Sequence, residues 1–136
     1  MSLLHEELSS EIIKAFFNVF NTLGTGFLEK VYENAMLLEL RSKGINCIAQ
    51  KHVKVFYIEQ QVGFYIADII AEERIIIEIK AAENICEQHE YQLINYLRAT
   101  EIQVGLLLNF GKTAQFKRKI ITKNPSLSVK SVKSVF

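Results

Sequence analysis

The segment Ile75-Ile76-Ile77-Glu78-Ile79-Lys80 constrains this chain more than any other. Its first half is β-branched at every position, which suits an extended strand. It does not alternate apolar with polar, so it reads as a central strand buried on both faces, between layers of helix. Three segments supply the helices. From Leu8 to Leu23, the apolar residues Leu8, Ile12, Ala15, Phe16, Val19, Phe20 and Leu23 recur at helical spacing, with Ser9 or Ser10 available as a cap. Gly24-Thr25-Gly26 stops this helix, and a second is predicted from about Leu28 to Ser42. Its apolar face is expected to hold Val31, Tyr32, Ala35, Met36 and Leu38, with Gly44 as a left-handed cap. A third runs from about Glu87 to Thr100, with Tyr91, Leu93, Ile94 and Leu97 expected inward.

Between and after these helices the period is two. Ile45–Ala49 reads as a short strand, and Val53–Tyr57 as another, with a polar turn at Glu59-Gln60-Gln61. Val62–Ala71, Ile75–Lys80 and Val104–Leu108 follow as strands, and Gln115–Thr122 as a last edge strand. The order is α-α-β-β-β-α-β-β, a mixed α/β layer fold with a central sheet flanked by helices. The 136 residues fit one domain, placed at residues 1–122, with a basic tail at 123–136. A hydrophobic fraction of 49% is too high for a disordered chain. No apolar run approaches the ~20 residues that span a bilayer, so no membrane is expected. Glu6 and Glu7 stand where a signal peptide needs positive charge. Cys47 and Cys86 make no disulfide framework, so the expected compartment is the cytoplasm.

The net charge of +1 hides an asymmetry. Residues 1–111 carry nine Lys/Arg and fifteen Asp/Glu, a balance of −6, whereas residues 112–136 carry seven Lys/Arg and no acid, a balance of +7. Such a basic end is either a phosphate-binding arm or a solvated terminus that aids solubility. Lys117 and Lys119 share one side of the last strand and are expected to be exposed, with Arg118 on the other side, partly covered along its stem.

Asp68 is the only aspartate, and it lies inside the apolar strand Tyr65-Ile66-Ala67-Asp68-Ile69-Ile70. Charges inside apolar strands cost several kcal/mol unless they are paired or bound to metal. Glu78 and Lys80 are two apart and share a face. If Ala71 pairs with Ile75 around Glu72-Glu73-Arg74, Asp68 falls opposite Glu78 on that same face; a two-residue turn would separate them. No Asn-Gly is present to favour the tight turn. Two convergent carboxylates suit a hard cation such as Mg²⁺ or Mn²⁺, and a lysine beside them suits charge growing on a phosphoryl oxygen. A structural ion pair, with Lys80 neutralising Asp68 and Glu78, is the plainer reading of the same spacing.

The pattern Asp68-(nine residues)-Glu78-Ile79-Lys80 resembles the PD-(D/E)XK nuclease superfamily, although Ala67 stands where its name has proline. Gly26-Phe27-Leu28-Glu29-Lys30-Val31-Tyr32 resembles the string for which the small GxxExxY proteins are named. The likeness spans roughly residues 5–121 and includes Gln92-Leu93-Ile94-Asn95-Tyr96. It implies a restriction-endonuclease-like fold and metal-dependent hydrolysis of phosphodiester bonds in DNA or RNA by metal-activated water. It implies Asp68, Glu78 and Glu29 as metal ligands, Lys80 as a further catalytic residue, and Gln92 and Tyr96 as substrate contacts. Tyr32, Lys117 and Lys119 join these as expected substrate-binding residues. Gly26 is expected to let the chain enter the second helix close against the sheet. The rival readings are a non-catalytic nucleic-acid- or protein-binding module on a nuclease fold, and a regulatory subunit of a larger complex. Cleavage of both duplex strands would need a homodimer, one site per strand.

Other chemistry is poorly supported. Cys47, His52, Cys86 and His89 lack zinc-ligand spacing apart from Cys86-x-x-His89. There is no phosphate loop and no nucleophile elbow. His89 could reach a phosphate, although a histidine at a helix start is more commonly just exposed.

Overall fold

The structure is a computed structural model and describes residues 4–123. Ile75–Lys80 is the middle strand of a five-stranded sheet of order β1-β2-β3-β4-β5. The elements are α1 (Glu6–Leu23), α2 (Glu29–Ser42), β1 (Cys47–Tyr57), β2 (Gln60–Ala71), β3 (Ile75–Lys80), α3 (Glu87–Arg98), β4 (Val104–Phe110) and β5 (Ala114–Ile120). This is the order read from the sequence. Only β3 and β4 are parallel, and α3 makes the crossover between them; the other neighbours are antiparallel. β3 is buried along both faces until Lys80, and β4 throughout.

Each face of the sheet has its own core. On one side α1 contributes Ile12, Ala15, Phe16 and Val19, and α2 contributes Tyr32, Met36, Leu37 and Leu40. They pack on Ile75, Ile77, Leu106 and Leu108 of the sheet. On the other side α3 contributes Leu93, Tyr96 and Leu97, against Ile70, Ile76 and Leu107. Gly105 lets α3 come close: a Cβ there would stand 2.6 Å from Leu93 Cδ1.

Several local expectations are corrected. α1 starts at Glu6 with His5 as N-cap, so Ser9 lies inside the helix and is buried. On α2, Val31 and Leu38 are exposed, and the buried stripe is Tyr32, Glu33, Met36, Leu37 and Leu40. On α3, Tyr91 is exposed and Tyr96 takes the inward place. The two strand fragments expected at 45–57 are one 11-residue strand, β1. Its turn into β2 is Ile58-Glu59, both left-handed (φ 49° and 58°), which is the backbone of a two-residue primed hairpin. The tail expected at 123–136 lies outside the described residues beyond Lys123.

β1 and β2 form a ribbon that outruns the rest of the sheet. They pair from Cys47↔Ala71 out to Tyr57↔Gln60, whereas β2 pairs with β3 only from Ala71↔Ile75 to Ile69↔Ile77. The three-residue connection Glu72-Glu73-Arg74 sets that register, as the sequence predicts. Gln50 breaks the regularity of the ribbon. It is left-handed (φ 52°), lies level with Asp68 between Ala49↔Ile69 and Lys51↔Ala67, and donates from Nε2 to Glu33 Oε1 at 2.7 Å.

Candidate active site

The site forms where the β2–β3 ladder ends. Beyond Ile69↔Ile77 no backbone pair continues, and the Asp68 side chain takes over: its Oδ2 accepts the Ile79 N–H at 2.8 Å. The strand register that brings Ala71 to Ile75 carries Asp68 to the level of Glu78. Glu78 is 4% exposed. Burial pushes its carboxyl up to about 10, and the neighbouring charge of Asp68 and a side-chain hydrogen bond to it push the same way, while Lys80 opposes them. Two carboxyls this close do not both ionise readily.

Lys80 follows two residues later and is tied to α3. Its Nζ donates to Gln92 Oε1 at 3.1 Å, and Gln92 Nε2 donates to Tyr96 Oη at 3.1 Å. Spacing four apart puts Gln92 and Tyr96 on one helix face, so one face of α3 orients the lysine. The Tyr96 hydroxyl is raised by burial first and then by the charges of Glu78 and Asp68, so it stays protonated. His89 stands nearby at the start of α3. Its Nδ1 accepts the Cys86 N–H at 3.3 Å, and burial followed by the charge of Lys80 lowers its basicity, with Glu29 opposing.

The segment Gly26–Tyr32 reaches the site through one residue. Gly26 has φ 106°, a conformation that favours glycine, and a Cβ there would meet nothing within 4 Å. It is therefore needed for the turn rather than for close packing. Tyr32 is fully buried, stacked on Phe110 at 4.2 Å between ring centroids. Its hydroxyl donates to Gly24 O at 2.6 Å and accepts from Phe27 N at 3.2 Å. Tyr32 thus pins the turn from inside the core, which corrects its expected place among substrate contacts. The turn starts α2 at Glu29, whose Oε2 accepts the Ala81 N–H at 3.4 Å, one residue past Lys80.

The cations of β5 lie apart from this cluster. Lys117 is exposed as expected. Lys119 is not: it is half-buried in an ion pair with Glu90 of α3 at 2.5 Å. Arg118 is partly covered, and its guanidinium donates to Leu4 O.

The donor set fits a divalent cation. Glu78 Oε1 is buried and has no hydrogen-bond partner, beside the carboxylate of Asp68. A hard cation prefers such oxygens and would favour the ionised form that burial disfavours. Among the described residues no group of three or more His, Cys, Asp or Glu side chains stands ready to hold a metal, so Glu29 is not gathered with the pair.

Some lining residues were not singled out from the sequence. Tyr65 packs on Tyr96 at 5.0 Å between ring centroids, and with Gln88, Tyr91 and Asn95 it borders a cleft that also includes His89 and Gln92. Gln88, Tyr91, Gln92 and Asn95 are spaced as one helical stripe, but Tyr91 reads equally well as core.

With this geometry in view, comparison with known families gives a direct match. The model of the PD-(D/E)XK nuclease superfamily matches residues 6–121, and the chain belongs to that superfamily. The search of curated proteins gave no match. Among solved structures, the crystal structure of SSO0001 aligns with 92% of this chain and 63% of its own at 14% identity, with a TM-score of 0.45. This chain therefore spans less than two thirds of that one. Among the described residues no helix is long and apolar enough to cross a membrane.

Proposed function

We propose that this chain is a metal-dependent nuclease of the GxxExxY kind that hydrolyses phosphodiester bonds in DNA or RNA. The observation that carries the reading is the buried, unpartnered Glu78 Oε1 beside Asp68, with Lys80 two residues on. Mg²⁺ or Mn²⁺ held by Asp68 and Glu78 would supply positive charge at the phosphate and a more acidic water. Asp68 joins β2 to β3 through the Ile79 N–H and so holds the carboxylate pair on rigid strands. Lys80, oriented by Gln92, offers a cation to the negative charge that grows on the phosphoryl oxygens. Tyr96 keeps its proton and steadies Gln92. Glu29 lies at the rim, where its Oε2 accepts the Ala81 N–H, outside the pair that would hold the ion. The domain occupies residues 1–122, and its free thiols, Cys47 and Cys86, suit the cytoplasm.

The test is cleavage of labelled single- and double-stranded DNA and RNA with and without Mg²⁺ or Mn²⁺. Lys80→Ala should lower the rate about 100-fold or more, the usual effect of removing one transition-state donor. Metal-independent cleavage, or full activity in Lys80→Ala, would reject this assignment. Two observations favour a second reading, a binding module or subunit whose partner grips the nucleic acid. Residues 1–111 are acidic in balance, and Lys119 is occupied by Glu90.

A further inference from the structure

A cleft of about 430 Å³ lies between Tyr65 of the β1–β2 ribbon and α3. That size lies within the roughly 300–1,000 Å³ of ligand clefts. Its lining is Tyr65 from the ribbon and Gln88, His89, Tyr91, Gln92 and Asn95 from α3. Two features of this wall point to a ligand. Tyr65 and Tyr91 are 40% and 60% exposed, and both line this one cleft from its two sides. The remaining groups are side-chain amides and one imidazole, with no Lys or Arg among them. The cleft is also continuous with the site, because Gln92 lines it and holds Lys80.

We infer that this cleft seats unpaired nucleobases, so that the substrate is single-stranded nucleic acid threaded between the ribbon and α3. The inference rests on the nuclease reading in taking nucleic acid as the ligand. Bases in a duplex are stacked on one another and present edges, not faces, so exposed tyrosine rings gain little from them. Unpaired bases stack on such rings whatever their sequence, and amides can meet their edges. The charge of the cleft wall agrees. Duplex binders draw most of their affinity from lysines and arginines on phosphates. This wall has none, and the seven Lys/Arg of residues 112–136 that offset the acidic balance of residues 1–111 are not part of it. Stacking must then supply what the phosphate contacts do not.

The experiment measures binding of the full chain in EDTA to a short labelled DNA strand, to RNA of the same sequence, and to the DNA duplex. Wild type should bind either single strand more tightly than the duplex, and the two strands tell DNA from RNA. Tyr91→Ala should weaken single-strand binding about fivefold or more, the lower end for loss of one stacked base, with an unchanged melting temperature. Tyr91→Phe, which keeps the ring, should restore it. Tyr65→Ala removes a contact to Tyr96 as well, so Tyr91 is the cleaner probe. Equal single-strand affinity in wild type and Tyr91→Ala, or a preference for duplex, would overturn the inference. Cleavage assays on the same proteins keep the two proposals apart. Ring-dependent single-strand binding without metal-dependent cleavage would sink the nuclease reading and leave the cleft. Metal-dependent cleavage without ring dependence would do the reverse.

Discussion

Glu78 is held neutral by burial and by Asp68 in the absence of a cation, and this has a definite consequence for pH dependence. Its carboxyl ionises at about 10 in the fold but near 4.5 in the unfolded chain. Between those values the folded chain keeps a proton that the unfolded chain has lost. Stability from this group is full below about 4.5 and is lost as pH rises toward about 10. Glu78→Gln should flatten that decline, raising the midpoint at pH 8 by several degrees and changing it little at pH 4. About 1 kcal/mol corresponds to about 3–6 °C in a domain of this size. Parallel pH slopes in the two proteins, measured by thermal melts in EDTA, would contradict the assignment. Mg²⁺ or Mn²⁺ must displace that proton, so the rise in melting temperature it causes should grow with pH and vanish in Asp68→Asn. An equal rise in wild type and Asp68→Asn would place the ion elsewhere.

Hairpin and loop geometry set what the elements can tolerate. Ile58 is β-branched yet sits at φ 49°, on the ribbon turn. Replacing Ile58-Glu59 by Asn-Gly should stabilise the fold by about 1 kcal/mol, read as a higher denaturant midpoint with unchanged slope. Gly111 offers the opposite case. A Cβ there would stand 2.5 Å from Ala82 O, in the loop that Asn109 holds through both the N–H and the C=O of Ala82 at 2.9 Å. Gly111→Ala should cost about 1–3 kcal/mol in a chemical denaturation curve. At this scale the sequence is readable where one rule decides. Strand parity and a three-residue connection were enough to align Asp68 with Glu78 and Lys80. Helix faces were less readable, because two apolar stripes compete on α2: Val31 and Leu38 against Leu37 and Leu40. Only the packing of α2 on α1 and the sheet chooses between them. Tyr91 and Tyr96 posed the same ambiguity on α3. The Lys119–Glu90 pair joins β5 to α3, and no local spacing announces it. The left-handed Gln50 was equally hidden, since glutamine has no special preference for that conformation.

For the whole molecule, two cores on opposite faces hold the sheet, while α3 leaves the outer ribbon partly bare on its own side. If the cleft between that ribbon and α3 binds unpaired bases as proposed, affinity should depend weakly on salt, because its wall carries no Lys or Arg. Lys117→Ala should lower the slope of log affinity against log salt by about 0.7 if it meets one phosphate of a single strand. Lys119→Ala should change it less, because Glu90 already neutralises that cation. Equal changes in the two variants would mean that the ion pair opens on binding. The left-handed Gln50 also lies on an open edge of the sheet. β1 is an edge strand of 11 residues, long enough to template a strand from another molecule and start aggregation. The left-handed Gln50 and the irregularity between Val55 and Phe56 interrupt that edge, and Lys51 and Lys54 add charge along it. The left-handed Gln50 thus stands both on that open edge and level with Asp68 of the carboxylate pair, so a change made at the edge is made beside the site.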